Sequence, residues 1–278
     1  VNGKPAGEHL FPYTPFELDV TDLVNPRGEN SLVVKADNRI LEFAIPDSRW
    51  DGWWFYGGIT RDVFLEHRPK TSIEKTWLNT WRNETQGWDA EATAVVHKTA
   101  GSDRMETLTF LLQDAQGKEI WSKTVDLDIR PGSTEVSVRA LIESAKPWSP
   151  DSPVLYRLTA QLNGQSPHSR SIRTAFREIE VDGSRVLLNG EPIVIHGTSR
   201  HEDHPEYGST IPLERTRKDL EEIKELGCNF VRTAHYTQDP AFYDLCDEMG
   251  LLVWTEIPAW KTRPEVLADG EVYKTYAK

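Results

Sequence analysis

The period at which apolar residues recur changes along this chain, and the changes divide it into three stretches. In the first, "FPYTPFELDVTDLV" alternates Phe16, Leu18 and Val20 with polar neighbours, "NSLVVKADN" follows the turn "NPRGEN", and "GGITRDVFLEH" brings Ile59, Val63 and Leu65. A period of two belongs to strands with one buried face, so these segments predict antiparallel strands of a sandwich or jelly roll. From Arg68 to Phe176 the pattern stays strand-like through "TSIEKTWLNTW", "WDAEATAVVHKT", "METLTFLLQD", "EIWSKTVDL", "STEVSVRALI" and "VLYRLTAQL", with turns at Gln116-Gly117, Pro131-Gly132 and Asn163-Gly164. Six or seven short strands in about a hundred residues, with no helical period between them, predict an immunoglobulin-like β-sandwich.

The third stretch mixes periods. "VLLNGEPIVIHG" has a turn at Asn189-Gly190 and then the apolar run Ile193-Val194-Ile195, which reads as a buried strand. "IPLERTRKDLEEIKELG" spaces Leu213, Leu220, Ile223 and Leu226 near the helical repeat and stops at Gly227, predicting a helix from about Leu213 to Leu226. "CNFVRTAHY" is a second strand, "DPAFYDLCDEMG" a helix opened by Asp239-Pro240 and closed by Gly250, and "LLVWTEIP" a third strand. Strand and helix taking turns predict parallel β/α units.

In such units the polar groups that do chemistry collect at the carboxyl ends of the strands. The first strand here ends in His196 to His204, the second in Arg232, His235 and Tyr236, the third in Glu256 and Trp260. Any one of these could be a helix cap or a satisfied loop residue; three strands in succession ending in ionisable groups favour a site. The cluster "VIHGTSRHEDHPEYG" raises the question of a metal, but the helical His-Glu-x-x-His pattern sets its imidazoles four residues apart. His201 and His204 are three apart, and Pro205 and Gly208 stand where a helix would have to continue. The spacing makes a zinc reading weak. Earlier in the chain, Trp50, Trp53, Trp54 and Tyr56 crowd beside Asp51. Such a group is either a sugar platform or part of a sandwich core.

Composition narrows the partners. A chain of 278 residues, 38% apolar, can build two or three cores. Its formal net charge of -12 argues against nucleic acid and against anionic membrane surfaces. No run approaches the roughly 18 apolar residues of a membrane span. Cys228 and Cys246 have no spacing motif and read as free, buried thiols that say little about compartment. The opening "VNGKPAG" has no Met, basic leader or apolar signal region, and reads as a chain entered midway.

The chain resembles glycoside hydrolase family 2, the β-galactosidase and β-glucuronidase family, through "FYGGITRDVFL", "PWSPDSPVLYRL", "LLNGEPIVIHGTSRHEDHPEYG" and "IKELGCNFVRTAHYTQDPAFYDLCDEMGLLVWTEIP", four segments in the family's order. The resemblance implies three modules: the C-terminal part of a jelly-roll sugar-binding domain over residues 1–68, an immunoglobulin-like sandwich over 69–176, and the first part of a (β/α)8 TIM barrel over 177–278. It implies that His201 and His235 face the sugar, that Asp51 is a candidate sugar contact, and that Arg232 keeps a nucleophilic carboxylate ionised; Glu256 and Trp260, by their places at the strand end, are expected as further substrate contacts. Asp51 is displaced by one residue from the family's position, and Ser199 stands where the family commonly has Asn. No metal and no cofactor are implied. The implied partner is a β-glycoside, and the full-length enzyme could be a homo-oligomer.

A retaining glycosidase needs two carboxyl groups about 5 to 5.5 Å apart. The family places both on later barrel strands, the acid/base within an Asn-Glu pair, and Asn83-Glu84 is the Asn-Glu pair present, in the sandwich stretch. The chain is therefore expected to be an internal fragment of a retaining exo-β-glycosidase, inactive alone. The alternative is a carbohydrate-binding or assembly module without catalysis. The sugar, its linkage, the assembly state and the compartment are left open.

Overall fold

The computed structural model describes residues 1–39, 45–46, 54, 56–101, 103–164 and 167–270. They form two compact units, one of Phe64–His196 with Asp244–Leu252, the other of Val1–Val63, Gly197–Tyr243 and Val253–Lys278.

The first unit is built on seven antiparallel strands. β1 (Thr71–Arg82), β2 (Trp88–Lys98) and β5 (Gly132–Ile142) make one sheet in the order β1-β2-β5. β3 (Arg104–Gln113), β4 (Glu119–Ile129), β6 (Tyr156–Asn163) and β7 (His168–Thr174) make a second in the order β4-β3-β6-β7. Alternation fills the core, because successive side chains of a strand face opposite ways. Leu108, Phe110 and Leu112 of β3 and Leu158, Ala160 and Leu162 of β6 point inward with Ala92, Ala94 and Val96 of β2, all fully buried. Phe176 closes the core between Trp88 and Tyr156, edge-on to the latter at 5.0 Å. Each buried Leu, Val or Phe among them contributes about 1.5–3 kcal/mol, and each alanine methyl less than about 1 kcal/mol. Asn83 and Glu84 fall in the turn between β1 and β2, where Asn83 Oδ1 accepts from the Thr85 amide at 3.0 Å.

A three-stranded meander follows, β8 (Ile179–Asp182), β9 (Arg185–Leu188) and β10 (Glu191–Ile193), antiparallel in the order β10-β9-β8. Here the reading of Ile193-Val194-Ile195 as a buried first strand fails. The Asn189-Gly190 turn folds Glu191–Ile193 back on Val186–Leu188, and Val194 and Ile195 are exposed. The first strand of the β/α sheet is the next one along.

That sheet, which falls in the second unit but for Leu252, has the order β11 (Gly197–Arg200), β12 (Phe230–Thr233), β13 (Leu252–Trp254), with β11 and β12 parallel. Gly197 is required at the start of β11, since a Cβ there would come within 2.6 Å of the Phe230 carbonyl oxygen. Between strands run α1 (Leu213–Glu225) and α2 (Pro240–Met249). α1 buries Thr216, Leu220 and Ile223 and ends at Gly227 with φ +80, a left-handed stop that favours glycine. α2 ends likewise at Gly250, with φ +72.

The strands predicted for the first stretch are absent among the described residues 1–39 and 56–70. Val63 and Leu65 are 61% and 76% exposed. Alternation gives a strand a face to bury, but it does not supply the neighbouring strand that a ladder needs. The Asn2 amide donates to the Ser31 carbonyl at 2.8 Å, and the Asn2 side chain adds to this by donating to Asn30 and accepting from the Ser31 amide, each at 2.8 Å. Among the described residues no helix is long and apolar enough to cross a membrane.

Candidate active site

β11 ends in a buried cation. Arg200 donates through Nη2 to Asp219 of α1 at 2.9 Å and through Nη1 to Gln238 at 2.6 Å, which fixes the strand end against the loop after β12. His201 follows and meets His235 edge to face, ring centres 5.4 Å apart. Partial burial, and then the neighbouring charge of His235, hold the His201 pKa below its ordinary value. A desolvated imidazole beside another imidazole gains least from a proton.

β12 supplies Arg232, opposite Ser199 in the parallel register, and His235 just beyond the strand. The residue after β13's short span that completes the group is Glu256. Arg232 Nε donates to Glu256 Oε1 at 2.5 Å, and Arg232 Nη2 lies 3.0 Å from His235 Nδ1. The same Nδ1 is 3.1 Å from Glu256 Oε2. Burial works to raise the Glu256 pKa, but hydrogen bonds from Arg232 and His235, with their charges, outweigh it and the net shift is downward. Glu256 is thus an ionised acceptor at neutral pH, unsuited to donating a proton.

One nitrogen cannot serve both neighbours with one proton. If Nδ1 carries hydrogen it donates to Glu256; if it is bare it accepts from Arg232. An ionised Glu256 favours the first. Trp260 stacks on the His235 ring, centres 4.8 Å apart and 13° from parallel, and fixes the ring plane. The Lys261 ammonium lies 4.4 Å over the Trp260 ring.

His201, Arg232, His235, Glu256 and Trp260 are therefore linked in one group within this unit, as their strand-end positions suggest. Asp51 lies outside the described residues. His204 belongs to a local turn: its Nδ1 accepts from the Glu206 amide at 3.1 Å and its ring stacks on Tyr207. Glu202 and Asp203 face other partners. Glu202 accepts from Arg61 at 3.0 Å and from the Asp239 amide at 2.8 Å, and Asp203 accepts from the Tyr56 hydroxyl at 2.7 Å. Arg61 and Tyr13 escape sequence reasoning, although Arg61 sits inside the segment "GGITRDVFL"; a charged residue within an otherwise alternating run is the signal that could have drawn attention to it. Among the described residues no group of three or more His, Cys, Asp or Glu is gathered for a metal ion.

Residues 71–177 match the family model of glycosyl hydrolases family 2, and residues 179–264 match that family's TIM barrel domain. The chain belongs to glycosyl hydrolase family 2. It is 31% identical over 266 residues to a beta-galactosidase of Thermoanaerobacter pseudethanolicus, covering 94% of this chain and 35% of that protein. Bacteroides uniformis beta-glucuronidase 2, solved covalently bound to cyclophellitol-6-carboxylate aziridine, superposes with a TM-score of 0.84 at 29% identity, over 93% of this chain and 32% of that one. A family 2 beta-galacturonidase from Eisenbergiella tayi, bound to galacturonate, gives a TM-score of 0.74 at 31% identity, over 87% of this chain and 42% of that one. The chain spans about a quarter to a third of the length of the curated relatives it matches.

Proposed function

We propose that this chain is part of a retaining exo-β-glycosidase, β-galactosidase-like, that hydrolyses terminal β-linked sugars, with its acid/base and nucleophilic glutamates outside residues 1–278. In this reading residues 1–68 belong to a jelly-roll sugar-binding domain, 69–176 are an immunoglobulin-like sandwich, and 177–278 begin the catalytic (β/α)8 barrel. The complete enzyme needs no metal or cofactor and can assemble as a homo-oligomer.

The observation that carries the proposal is the hydrogen-bonded Arg232, His235 and Glu256 group, with Glu256 ionised and the His235 ring braced by Trp260. A sugar ring is recognised by a few fixed polar groups on an otherwise apolar wall. His201 and His235 serve as hydrogen-bonding groups for neutral hydroxyls, Glu256 accepts from a hydroxyl, and Trp260 gives the wall. Asp51 is a further sugar contact. Arg232 has donors beyond the one given to Glu256, and these hold the nucleophilic carboxylate ionised when the barrel is complete. General-acid protonation of the leaving oxygen belongs to a carboxyl with a raised pKa, the opposite of Glu256.

The test is turnover of nitrophenyl β-galactoside, β-glucuronide and β-galacturonide by the complete protein and its Arg232→Lys variant. The variant should lower kcat far more than it raises KM, since a lysine is a point charge where a planar fork is needed. Unchanged kcat with weakened binding would assign Arg232 to the substrate instead. Hydrolysis of no glycoside by the complete protein, together with retained sugar binding, would favour a non-catalytic carbohydrate-binding module.

A further inference from the structure

Arg61 is separated by 141 residues from Glu202 and by 176 from Thr237, yet one of its nitrogens reaches both. Arg61 Nη2 donates to Glu202 Oε2 at 3.0 Å and to the Thr237 carbonyl at 2.6 Å, and Nη1 donates to the Tyr13 carbonyl at 3.3 Å. Tyr13 completes the clamp. Its φ of +65 lies in the left-handed region uncommon for a non-glycine residue, its carbonyl also accepts from Thr237 Oγ1 at 2.7 Å, and its ring stacks on Tyr236 at 4.1 Å.

The gripped residues are neighbours of the sugar-facing pair. Glu202 adjoins His201, and Thr237 is two residues beyond His235. Tyr236, between them, is buried and accepts from the Glu202 amide at 3.0 Å. Both loops are thereby tied to one guanidinium, and the 5.4 Å spacing of the His201 and His235 rings is set between two fixed ends. Glu202, an acid in the middle of the histidine cluster, is consumed by this clamp: one oxygen faces Arg61, the other the Asp239 amide at the start of α2.

We infer that Arg61, seconded by Tyr13, is a positioning residue of the site, holding His201 and His235 at their working separation from a segment outside the β/α units. The inference rests on the proposed sugar site for its kinetic consequence, but not for its structural one. A lysine at position 61 reaches one acceptor where the fork reaches three, so Arg61→Lys should restore part of what Arg61→Met loses.

The experiment compares Arg61→Met, Arg61→Lys and the double variant Arg61→Met/Glu202→Gln in the complete protein. Arg61→Met leaves a buried carboxylate short of its cation and is expected to lower thermal stability. The double variant removes both charges and should recover much of that stability. It should not recover turnover: kcat/KM is expected to stay about 10- to 100-fold low, because displacement of orienting groups by about 1 Å costs on that order. In parallel, 13Cε1-histidine spectra should show the His201 and His235 signals moved in both Met variants, with His97 of the sandwich unmoved. A double variant with wild-type stability, wild-type kcat/KM and unmoved His201 and His235 signals would overturn the inference. If the wild-type protein hydrolyses no β-glycoside, the sugar-site reading fails, and the histidine spectra alone decide the role of Arg61.

Discussion

Glu256→Gln removes a charge from the centre of the site while keeping the side chain's size, and its consequence depends on pH with a definite sign. In the native protein Glu256 accepts from Arg232 Nε at 2.5 Å and faces His235 Nδ1 at 3.1 Å. Glutamine can still accept from Arg232 through its oxygen, but its amide nitrogen is a donor and would meet His235 Nδ1 only in the bare tautomer. A hydrogen bond involving a charged group contributes about 1.5–3 kcal/mol, a neutral one about 0.5–1.5, so the exchange costs on the order of 1–2 kcal/mol. The Arg232 and Glu256 side chains are 37% and 19% exposed, and solvent screening brings this to about 1 kcal/mol. In a unit of this size that lowers Tm by about 2–4 °C. Because the folded Glu256 pKa is depressed below 4.5, its contribution is fully present above that value and is lost as pH falls through the folded pKa. Differential scanning fluorimetry of wild type and Glu256→Gln should show the full gap at pH 7 and a shrinking gap below pH 4.5. A gap that persists or widens towards pH 4 would refute the reasoning.

Three further expectations follow from the same geometry. His235→Phe keeps a ring on Trp260 but removes a neighbouring charge, so the His201 pKa should rise towards 6.5, read by histidine NMR; because the depressed native value disfavours protonation, His201 should cost stability only as pH falls below that figure. Gly250→Ala should destabilise by about 2–4 kcal/mol, since its left-handed φ is compounded by a Cβ only 2.2 Å from the Pro150 carbonyl oxygen, whereas Gly227→Ala, with the same kind of φ and open space, should cost about 1 kcal/mol; urea denaturation separates them. Trp148 is fully buried, donates to the Asp247 carbonyl at 2.8 Å and lies under Arg177, so Trp148→Ala should cost about 3–5 kcal/mol and Trp148→Phe distinctly less, by the same measurement.

The sandwich strands and both long helices are legible in the sequence because their signals are local. Alternation through "METLTFLLQD" needs only its own residues to mark Leu108, Phe110 and Leu112 as core, and Gly227 and Gly250 mark helix ends by the backbone angle each must adopt. Ile193-Val194-Ile195 misleads because an apolar run does not say which neighbour it will pair with, and the Asn189-Gly190 turn claims Glu191–Ile193 for a hairpin first. The same limit governs residues 1–63, whose alternation is real but has no ladder among the described residues. Strand-end position suffices to mark His201, Arg232, His235, Glu256 and Trp260 as residues that the fold brings together. What it cannot supply is pairing: that Arg232 grips Glu256, 24 residues away, or that Glu202 faces Arg61 rather than a ligand, is fixed by three-dimensional proximity and not by any local pattern.

The central claim is that this site orients a β-linked sugar for hydrolysis by carboxyl groups beyond residue 278. Its most direct measurement is nitrophenol release from β-galactoside, β-glucuronide and β-galacturonide by the complete protein and by residues 1–278 alone, with Glu256→Gln made in both. The account predicts turnover by the complete protein on at least one of these, weakened by Glu256→Gln mainly through KM, and none by residues 1–278, because it assigns both carboxyl groups of the reaction to residues outside them. Turnover by residues 1–278 that Glu256→Gln abolishes would contradict it and make Glu256 a catalytic acid or nucleophile.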